Sequence, residues 1–489
     1  MRFDDFYNAA IYVTEDNQIS QWKDYVDRIP MLKKGVEIIT RLEKEGGPKA
    51  RAYIVGGAVR DIVTGEKEPD DIDIATNVPI DRIEQIFGKS HDIGKNKEFG
   101  IVIVTVDGED FEVANFRSDG TYSDGRRPDS VKIEMDFKTD AGRRDFTINA
   151  MGVDKDGNII DYFDGQKDIK NKLIKTVGDP EQRFGEDYIR MLRAVRFGSR
   201  LGFKISDETM AAIQKMAKNI SPKEAGQTKG VAGERIYKEL GKMAAQEGPK
   251  FAEAIETLDK SGMLQYILPE IAKMKEFKHN GEHHPEGGVW EHTLAALRSS
   301  NVKDPLVNLG ILLHDVGKPA THTLDAEGKH RYFGHAQAAE DLIETIAARF
   351  HLDNDMKRKL QFAAINHMKI HELLKMSNSK IAELMDNDGF EVLMKVSEAD
   401  AKARGRMFDQ KEWDQITNKI AELSERFKDR KAIEAIKKVV NGGWVMQLRG
   451  IKGGPEVGRI INTTVEWILN NNIDVKDIDK IAEFIKGIK

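Results

Sequence analysis

The tightest constraint on this chain is a glycine turn followed closely by alternating carboxylates. Residues 54–61 read Ile-Val-Gly-Gly-Ala-Val-Arg-Asp, and residues 71–76 read Asp-Ile-Asp-Ile-Ala-Thr. Successive side chains of a β-strand point to opposite faces, so Asp71 and Asp73 are expected to project from one face and to share hard divalent cations such as Mg²⁺. Gly56 and Gly57 permit a tight turn with bare N–H groups against an anion, and Val59, Arg60 and Asp61 read as the start of a helix whose N-terminus favours phosphate. A Gly-Gly pair alone is usually a turn, and Asp-x-Asp alone is common on solvated edges. In this order they make a phosphate cradle beside metal carboxylates, the apparatus of nucleotidyl transfer.

A second informative stretch is Glu186-Asp-Tyr-Ile-Arg-Met-Leu-Arg-Ala-Val-Arg-Phe197. Its apolar spacing predicts a helix from Glu186 to Leu201, with Asp187 and Arg190 (i, i+3) on one face. That places an acceptor-only carboxylate beside a donor-only guanidinium. Cytosine (N4 amino, N3) and adenine (N6 amino, N1) both complement such a pair, whereas guanine and uracil present the reverse pattern. Mispairing buried polar groups rejects an analogue by about four orders of magnitude. The bland alternative is a surface salt bridge worth a few tenths of a kcal/mol.

A third constellation lies later. His292 in Trp-Glu-His-Thr, the doublet His314-Asp315 in Leu-Leu-His-Asp-Val-Gly-Lys-Pro, and Asp400 in Ser-Glu-Ala-Asp-Ala all fall in apolar-periodic stretches. Imidazole and carboxylate are ligands for first-row divalent metals, and apolar flanks such as Leu309 to Leu313 would hold them in a semi-dry cavity. His279, His283 and His284 read as a solvated loop, and His322 and His330 as flanks of a hairpin-like excursion around Asp325-Ala-Glu-Gly328.

The first stretch resembles the opening motif of the polymerase-beta-type nucleotidyltransferase superfamily, in its class II CCA-adding and bacterial poly(A) polymerase branch. Further segments are similar to that branch in the same order: Phe111 to Arg117 with the basic loop Ser118 to Pro128, Arg143 to Ala150, Asp161 to Gly165, Glu186 to Phe197, and Glu234 to Leu240. The later histidines and aspartates resemble the HD phosphohydrolase superfamily, whose motif order is H, HD, D. The resemblance implies an α+β chain: a small nucleotidyltransferase sheet domain followed by a largely helical body containing an HD domain.

It also implies roles. Asp71 and Asp73 would hold two Mg²⁺ ions, with Glu112 as a third carboxylate. Gly56, Gly57 and Arg60 would hold phosphates, Arg144, Asp145 and Asn149 would contact the ribose, and Asp187 and Arg190 would select the base, with Arg193 and Arg196 adding to the nucleotide site. In the HD region His292, His314, Asp315 and Asp400 would bind a divalent metal (Mn²⁺, Ni²⁺, Fe or Mg²⁺), and His335 and His367 would complete a second metal site. The implied activity is template-independent addition of CCA to tRNA from CTP and ATP. Alternatives are a poly(A) polymerase, a partial CC-adding or A-adding enzyme, a metal-dependent phosphohydrolase with a vestigial head, and a noncatalytic RNA-binding scaffold.

Five segments are expected: an extension over 1–30, the head over 31–165, a helical neck over 166–275, the HD domain over 276–425 and a helical tRNA-binding tail over 426–489. Gly100 to Val106 reads as a buried strand, Ser206 to Asn219, Val231 to Ala245 and Arg426 to Val440 as helices, and Gln447 to Gly458 as a Gly-rich basic turn before a final helix. With 489 residues the chain is too long for one core. The absence of cysteine excludes disulfides and thiolate zinc sites. No apolar run approaches the roughly 18 residues of a membrane span, and no signal-like start is present, so a cytoplasmic monomer or homodimer is expected. A net charge of −6 argues against a general nucleic-acid coat. Arg183, Arg190, Arg193, Arg196, Arg200 and Lys204, with Arg126 and Arg127, instead concentrate positive charge locally, which suits salt-sensitive binding of one RNA.

Overall fold

The computed structural model describes residues 15–65, 68–69, 71–88, 100–120, 130–223, 230–278, 287–426, 436–471 and 473–488. The chain divides into two compact units, one of residues 1–243 with 253–267 and one of residues 244–252 with 268–489. Arg126, Arg127, His279, His283, His284 and part of the expected 426–440 helix lie outside the described residues.

The first unit is built on a mixed sheet of β1 (Ala52–Val55), β2 (Asp73–Thr76), β3 (Ile101–Val106), β4 (Glu109–Asn115), and two further strands beyond a small hairpin of β5 (Arg117–Asp119) with β6 (Val131–Ile133). Those two are β7 (Met151–Val153) and β8 (Ile159–Asp161), and the spatial order is β3-β4-β2-β1-β7-β8. β2 pairs parallel with β4 and antiparallel with β1. Alternation divides the strands between two cores: Ile54 and Ile74 belong to one, Val55 and Ala75 to the other. Asp73 shares the Val55 and Ala75 face, because it lies opposite Val55 and two residues before Ala75. β3 is an edge strand whose residues are alternately buried, so it is half-covered rather than fully buried as expected.

The described end of the expected N-terminal extension, from Trp22 onward, packs into the head, while residues 1–14, with Tyr7 and Tyr12, lie outside the described residues. Trp22, Tyr25, Val26 and Ile29 lie in the same core as Ile54 and Phe111, and the Trp22 indole Nε1 donates to the Lys155 carbonyl at 2.9 Å. Gly157 accommodates that ring: its φ is +89°, and a Cβ there would stand 2.7 Å from Trp22. Helix formation over Glu15–Arg28 thus places a large aromatic where the sheet needs cover.

After the sheet come helices Pro180–Glu186, Ile189–Leu201, Asp207–Met216 and Gly233–Ala244. The single helix expected from Glu186 to Leu201 is broken. Asp187 is extended (φ −155°, ψ 107°), and its carboxylate accepts from the Ile189 N–H at 3.2 Å, starting the second helix. Asp187 therefore stands at a joint and not on a helical face with Arg190.

In the second unit, helices Val289–Ser299, Pro305–Leu313, His335–Phe350, Asn354–His371 and Phe390–Ala403 pack together. Pro305–Leu313 is buried from Val307 onward, capped by the Asp304 carboxylate and opened by proline at its first turn. Gly310 lets it lie against Phe390–Ala403, since a Cβ there would stand 2.8 Å from the Val396 side chain. His314 and Asp315 follow directly at its end. His322 and His330 flank a two-stranded hairpin, Thr323–Leu324 with His330–Arg331. The C-terminal helices Gly442–Arg449, Pro455–Asn471 and Ile478–Gly487 share their own core. Gln447 to Arg449 are helical, so the expected basic turn shortens to the segment starting at Gly450, and two helices follow it. Among the described residues no helix is long and apolar enough to cross a membrane.

Candidate active sites

The head carries a cleft of about 660 Å³ lined by Gly56, Asp71, Asp73, Arg144, Asp145, Asn149, Asp187 and Arg190, among others. Asp73 opens β2, while Asp71 lies in the bend before it and is exposed. The two carboxylates therefore line one cleft without both being in the strand, which corrects the expected geometry. Glu112 follows from register: Ile74 pairs with Val113 in the parallel β2–β4 ladder, so one residue back Glu112 lies beside Asp73. Burial, then Asp71, then Glu112 push the Asp73 carboxyl up to about 6, against the opposing pull of Arg144. A crowd of carboxylates with this excess negative charge fits a divalent cation, which would neutralise it.

Gly56 is required by both conformation and approach. Its φ is +71°, and a Cβ there would stand 3.1 Å from the Arg144 guanidinium and 3.8 Å from Asp73 Oδ2. Gly57 has no such constraint, because its added Cβ would meet only the Arg60 guanidinium at 3.5 Å. Arg60, expected to grip phosphate, is 3% exposed and hydrogen-bonds Asp61 (2.8 and 3.0 Å) and Asn149 Oδ1 (2.7 Å). It braces the cleft floor. Arg193 pairs with Asp145 at 2.6 Å, and Arg196 pairs with Glu239 at 2.5 Å. Burial alone would raise the Asp145 carboxyl, but Arg193, Asn149 and Arg190 outweigh it and hold the group at about 2.

Asp187 and Arg190 both line the cleft but are not partners. Asp187 takes a two-pronged contact from Arg235 (2.6 and 3.1 Å), and Arg190 is held by Glu186 and by the Arg183 carbonyl at 3.0 Å. Arg235, Lys238 and Lys242 were not singled out as site residues, yet all three line the cleft. Their spacing, i, i+3 and i+7, was the available signal, since it puts three cations on one helical face. Desolvation lowers the Lys242 ammonium pKa; Glu239 opposes this, and the nearby Arg196, Lys238 and Arg193 add to it. Lysines and arginines outnumber carboxylates two to one around the cleft, which suits a polyphosphate.

The second unit gathers all six expected metal-binding residues. His292, His314 and Asp400 form one group, and Asp315, His335 and His367 another, with the ligand atoms of each within 4.8 Å of one another. Asp315 lies between them: its Oδ2 is 3.2 Å from His314 Nε2, and its Oδ1 is 3.7 Å from His367 Nε2 and 3.9 Å from His335 Nε2. The Nδ1 atoms of His314, His335 and His367 lie 2.7, 2.9 and 2.8 Å from the carbonyls of Ile311, Tyr332 and Ala364. Donation to those carbonyls fixes the tautomer and turns each Nε2 lone pair inward. His314 Nε2, Asp315 Oδ1 and His335 Nε2 are buried without a hydrogen-bond partner among the described residues, which fits a cation between them.

Lys318 reaches Asp315 Oδ2 at 2.5 Å, and His371, which sequence reasoning missed, reaches Asp400 Oδ2 at 2.7 Å. The His367-x-x-x-His371 spacing, on one helical face, was its only trace. Despite burial, Lys318, His314 and His367 hold Asp315 well below the carboxylate range, and His292, His371 and His314 do the same for Asp400.

Residues 52–175 match the poly A polymerase head domain, and residues 202–275 match the probable RNA- and SrmB-binding site of polymerase A. Among curated relatives, the CCA-adding enzyme of Geobacillus thermodenitrificans is 41% identical over 248 residues, covering 51% of this chain and 57% of the relative. That of Bacillus subtilis is 40% identical over 265 residues, covering 54% and 62%. The chain thus spans about three-fifths of the length of the curated relatives it matches. Among solved structures, the Bacillus stearothermophilus CCA-adding enzyme in complex with CTP aligns with a TM-score of 0.66 at 24% identity, covering 93% of this chain and 98% of that one. The Thermotoga maritima CCA-adding enzyme complexed with tRNA aligns at 0.55 and 18%, covering 93% and 95%. These likenesses show a shared fold, a mixed-sheet head followed by a helical body.

Proposed function

We propose that this protein is a template-independent nucleotidyltransferase that adds or repairs the 3′-terminal CCA of tRNA, using CTP and ATP and releasing pyrophosphate, in the cytoplasm. The observation that carries the proposal is the meeting of Asp71, Asp73 and the neighbouring Glu112 with a cationic wall in one open cleft. The two curated relatives described above are CCA-adding enzymes, which favours this over a poly(A) polymerase.

Asp71, Asp73 and Glu112 would hold Mg²⁺, which when bound lowers the pKa of the attacking hydroxyl and neutralises charge on the triphosphate. Arg144, beside Gly56, and the exposed Lys238 and Lys242 would bind phosphate. Asn149, braced by Arg60, would contact the ribose with Asp145. Asp187 would accept from the exocyclic amino group of C or A while Arg190 donates to the adjacent ring nitrogen. Asp187 is oriented by Arg235 and Arg190 by Glu186, so each is held by its own anchor.

The test is incubation with tRNA lacking its terminal CCA and each labelled nucleotide, followed by sequencing of the 3′ end. Two C and one A, then arrest, is expected. Unlimited A, C alone or A alone would assign the protein to one of the alternatives.

A second reading rests on the buried, partnerless His314 and His335 nitrogens. The second unit would bind a divalent ion through the six residues above and hydrolyse a phosphoester, with the ion supplying an activated water. Manganese, nickel, iron or magnesium content of protein purified without chelator, paired with an assay on a 2′,3′-cyclic phosphate, tests it.

A further inference from the structure

His371 also lines a small, partly open cavity of about 160 Å³, formed where helices Asn354–His371, Phe390–Ala403 and Gln410–Arg426 meet, with Asp409 and Glu412 at its exposed side. Its wall includes His371, Arg404, Phe408, Asp409, Glu412 and Trp413. Arg404 Nε is buried there without a hydrogen-bond partner, and among the described residues Arg404 makes no ion pair even though Asp409 and Glu412 line the same space. Asp409 Oδ1 is occupied in capping the following helix, accepting from the Lys411 and Glu412 N–H groups at 2.9 and 3.2 Å. Trp413 is 6% exposed, so its indole is packed into the wall rather than turned to solvent.

The lining restricts what fits. An apolar guest would leave the Arg404 donor unsatisfied, at a cost of about 1–3 kcal/mol. A simple anion would satisfy Arg404 but face two carboxylates. A planar ring with acceptors on one part of its edge and N–H donors on another satisfies both, and its faces suit an indole and a phenyl ring. The volume matches one ring system, since a cavity of about 150 Å³ holds benzene. A nucleobase has this combination, and guanine, with O6 and N7 acceptors beside N1–H and N2–H donors, matches it most fully.

We propose that this cavity is a nucleobase-binding site, distinct from the head's nucleotide cleft, and that His371, which lines it and bonds Asp400, links its occupancy to the six-residue centre. The inference does not depend on that centre being hydrolytic.

Titration calorimetry of the full chain with guanosine tests it, since a nucleoside carries no triphosphate for the head. Saturable binding is expected, weakened about tenfold or more by Arg404→Met and by Trp413→Leu but unchanged by Arg190→Ala in the head. Adenosine and cytidine are expected to bind more weakly. Thermal melting of the Arg404→Met protein within a few degrees of wild type separates loss of the site from loss of the fold. Manganese titration with and without guanosine should then give different affinities, with the difference removed by His371→Ala. No saturation of any nucleoside by about 1 mM, binding abolished by Arg190→Ala, or binding indifferent to Arg404→Met in folded protein would overturn the site. Identical manganese affinities with guanosine bound would overturn the link.

Discussion

The two clusters of carboxylates handle the same electrostatic problem in opposite ways. In the head, Asp73 sits with Asp71 and Glu112 in an open cleft, and its own burial, then those two carboxylates, push it up to about 6. In the second unit Asp315 and Asp400 are more deeply buried yet held well below the usual carboxylate range, because Lys318 and the histidines already surround them with compensating donors. An open cleft can leave negative charge unbalanced because water screens it until an ion and a polyphosphate arrive. A dry centre cannot, so it carries its own counter-charges, and an incoming metal must compete with Lys318 for Asp315.

The largest effect that would break this comparison is on the head chemistry. Asp73→Ala or Asp71→Ala should reduce nucleotide addition by about three orders of magnitude or more while leaving the fold intact, since neither change opens a core cavity. Incorporation of CTP within about tenfold of wild type would remove the metal role. The raised Asp73 carboxyl also fixes a direction: Mg²⁺ must displace a proton below about pH 6, so head affinity for Mg²⁺ should fall as pH drops through that value.

Next in size is the separation of the two centres. Changing His314 to Ala together with Asp315 to Asn should strip divalent metal from the second unit, read by elemental analysis, while CTP and ATP addition stays near wild type because the ligand sets share no residue. Addition lost in proportion to metal would show that the two centres are not independent.

A smaller change is expected from Arg190→Ala. If Arg190 donates to N3 of cytosine or N1 of adenine as proposed, its loss should weaken use of CTP and ATP and relax exclusion of GTP and UTP, by about tenfold to a hundredfold in relative incorporation. Full four-way discrimination in that variant would leave Arg190 only its contacts to Glu186 and the Arg183 carbonyl.

The smallest is a stability effect. Asp145 is held at about 2 when folded against an ordinary 3.8, so it favours the folded state above that ordinary value and loses this contribution as pH falls through about 2. Asp145→Asn should lower stability at neutral pH by roughly 2 kcal/mol and flatten the acid limb of a denaturation–pH profile. A variant with an unchanged acid limb would show that Arg193 does not hold Asp145 ionised.

Much of this molecule is legible in its order of residues. The Gly56 turn, the Asp71 and Asp73 carboxylates and the His292, His314–Asp315, Asp400 series are local signals whose chemistry depends on residue type and spacing, and such signals survive in one dimension. The α+β class followed from the family resemblance that those motifs carry in order.

What the linear pattern could not supply were contacts between distant segments. The joint at Asp187 overrode a helical periodicity that otherwise runs unbroken, because its carboxylate caps the helix after it and pairs with Arg235, 48 residues on. Arg60 became a buried brace only because Asn149, 89 residues away, accepts its guanidinium. Trp22 left its expected extension because Gly157 leaves room for its ring. Sequence by itself determined which groups are present and in what local geometry. Tertiary structure decided which charges are satisfied internally and which still face open space, because burial and counter-charge are properties of the assembled fold.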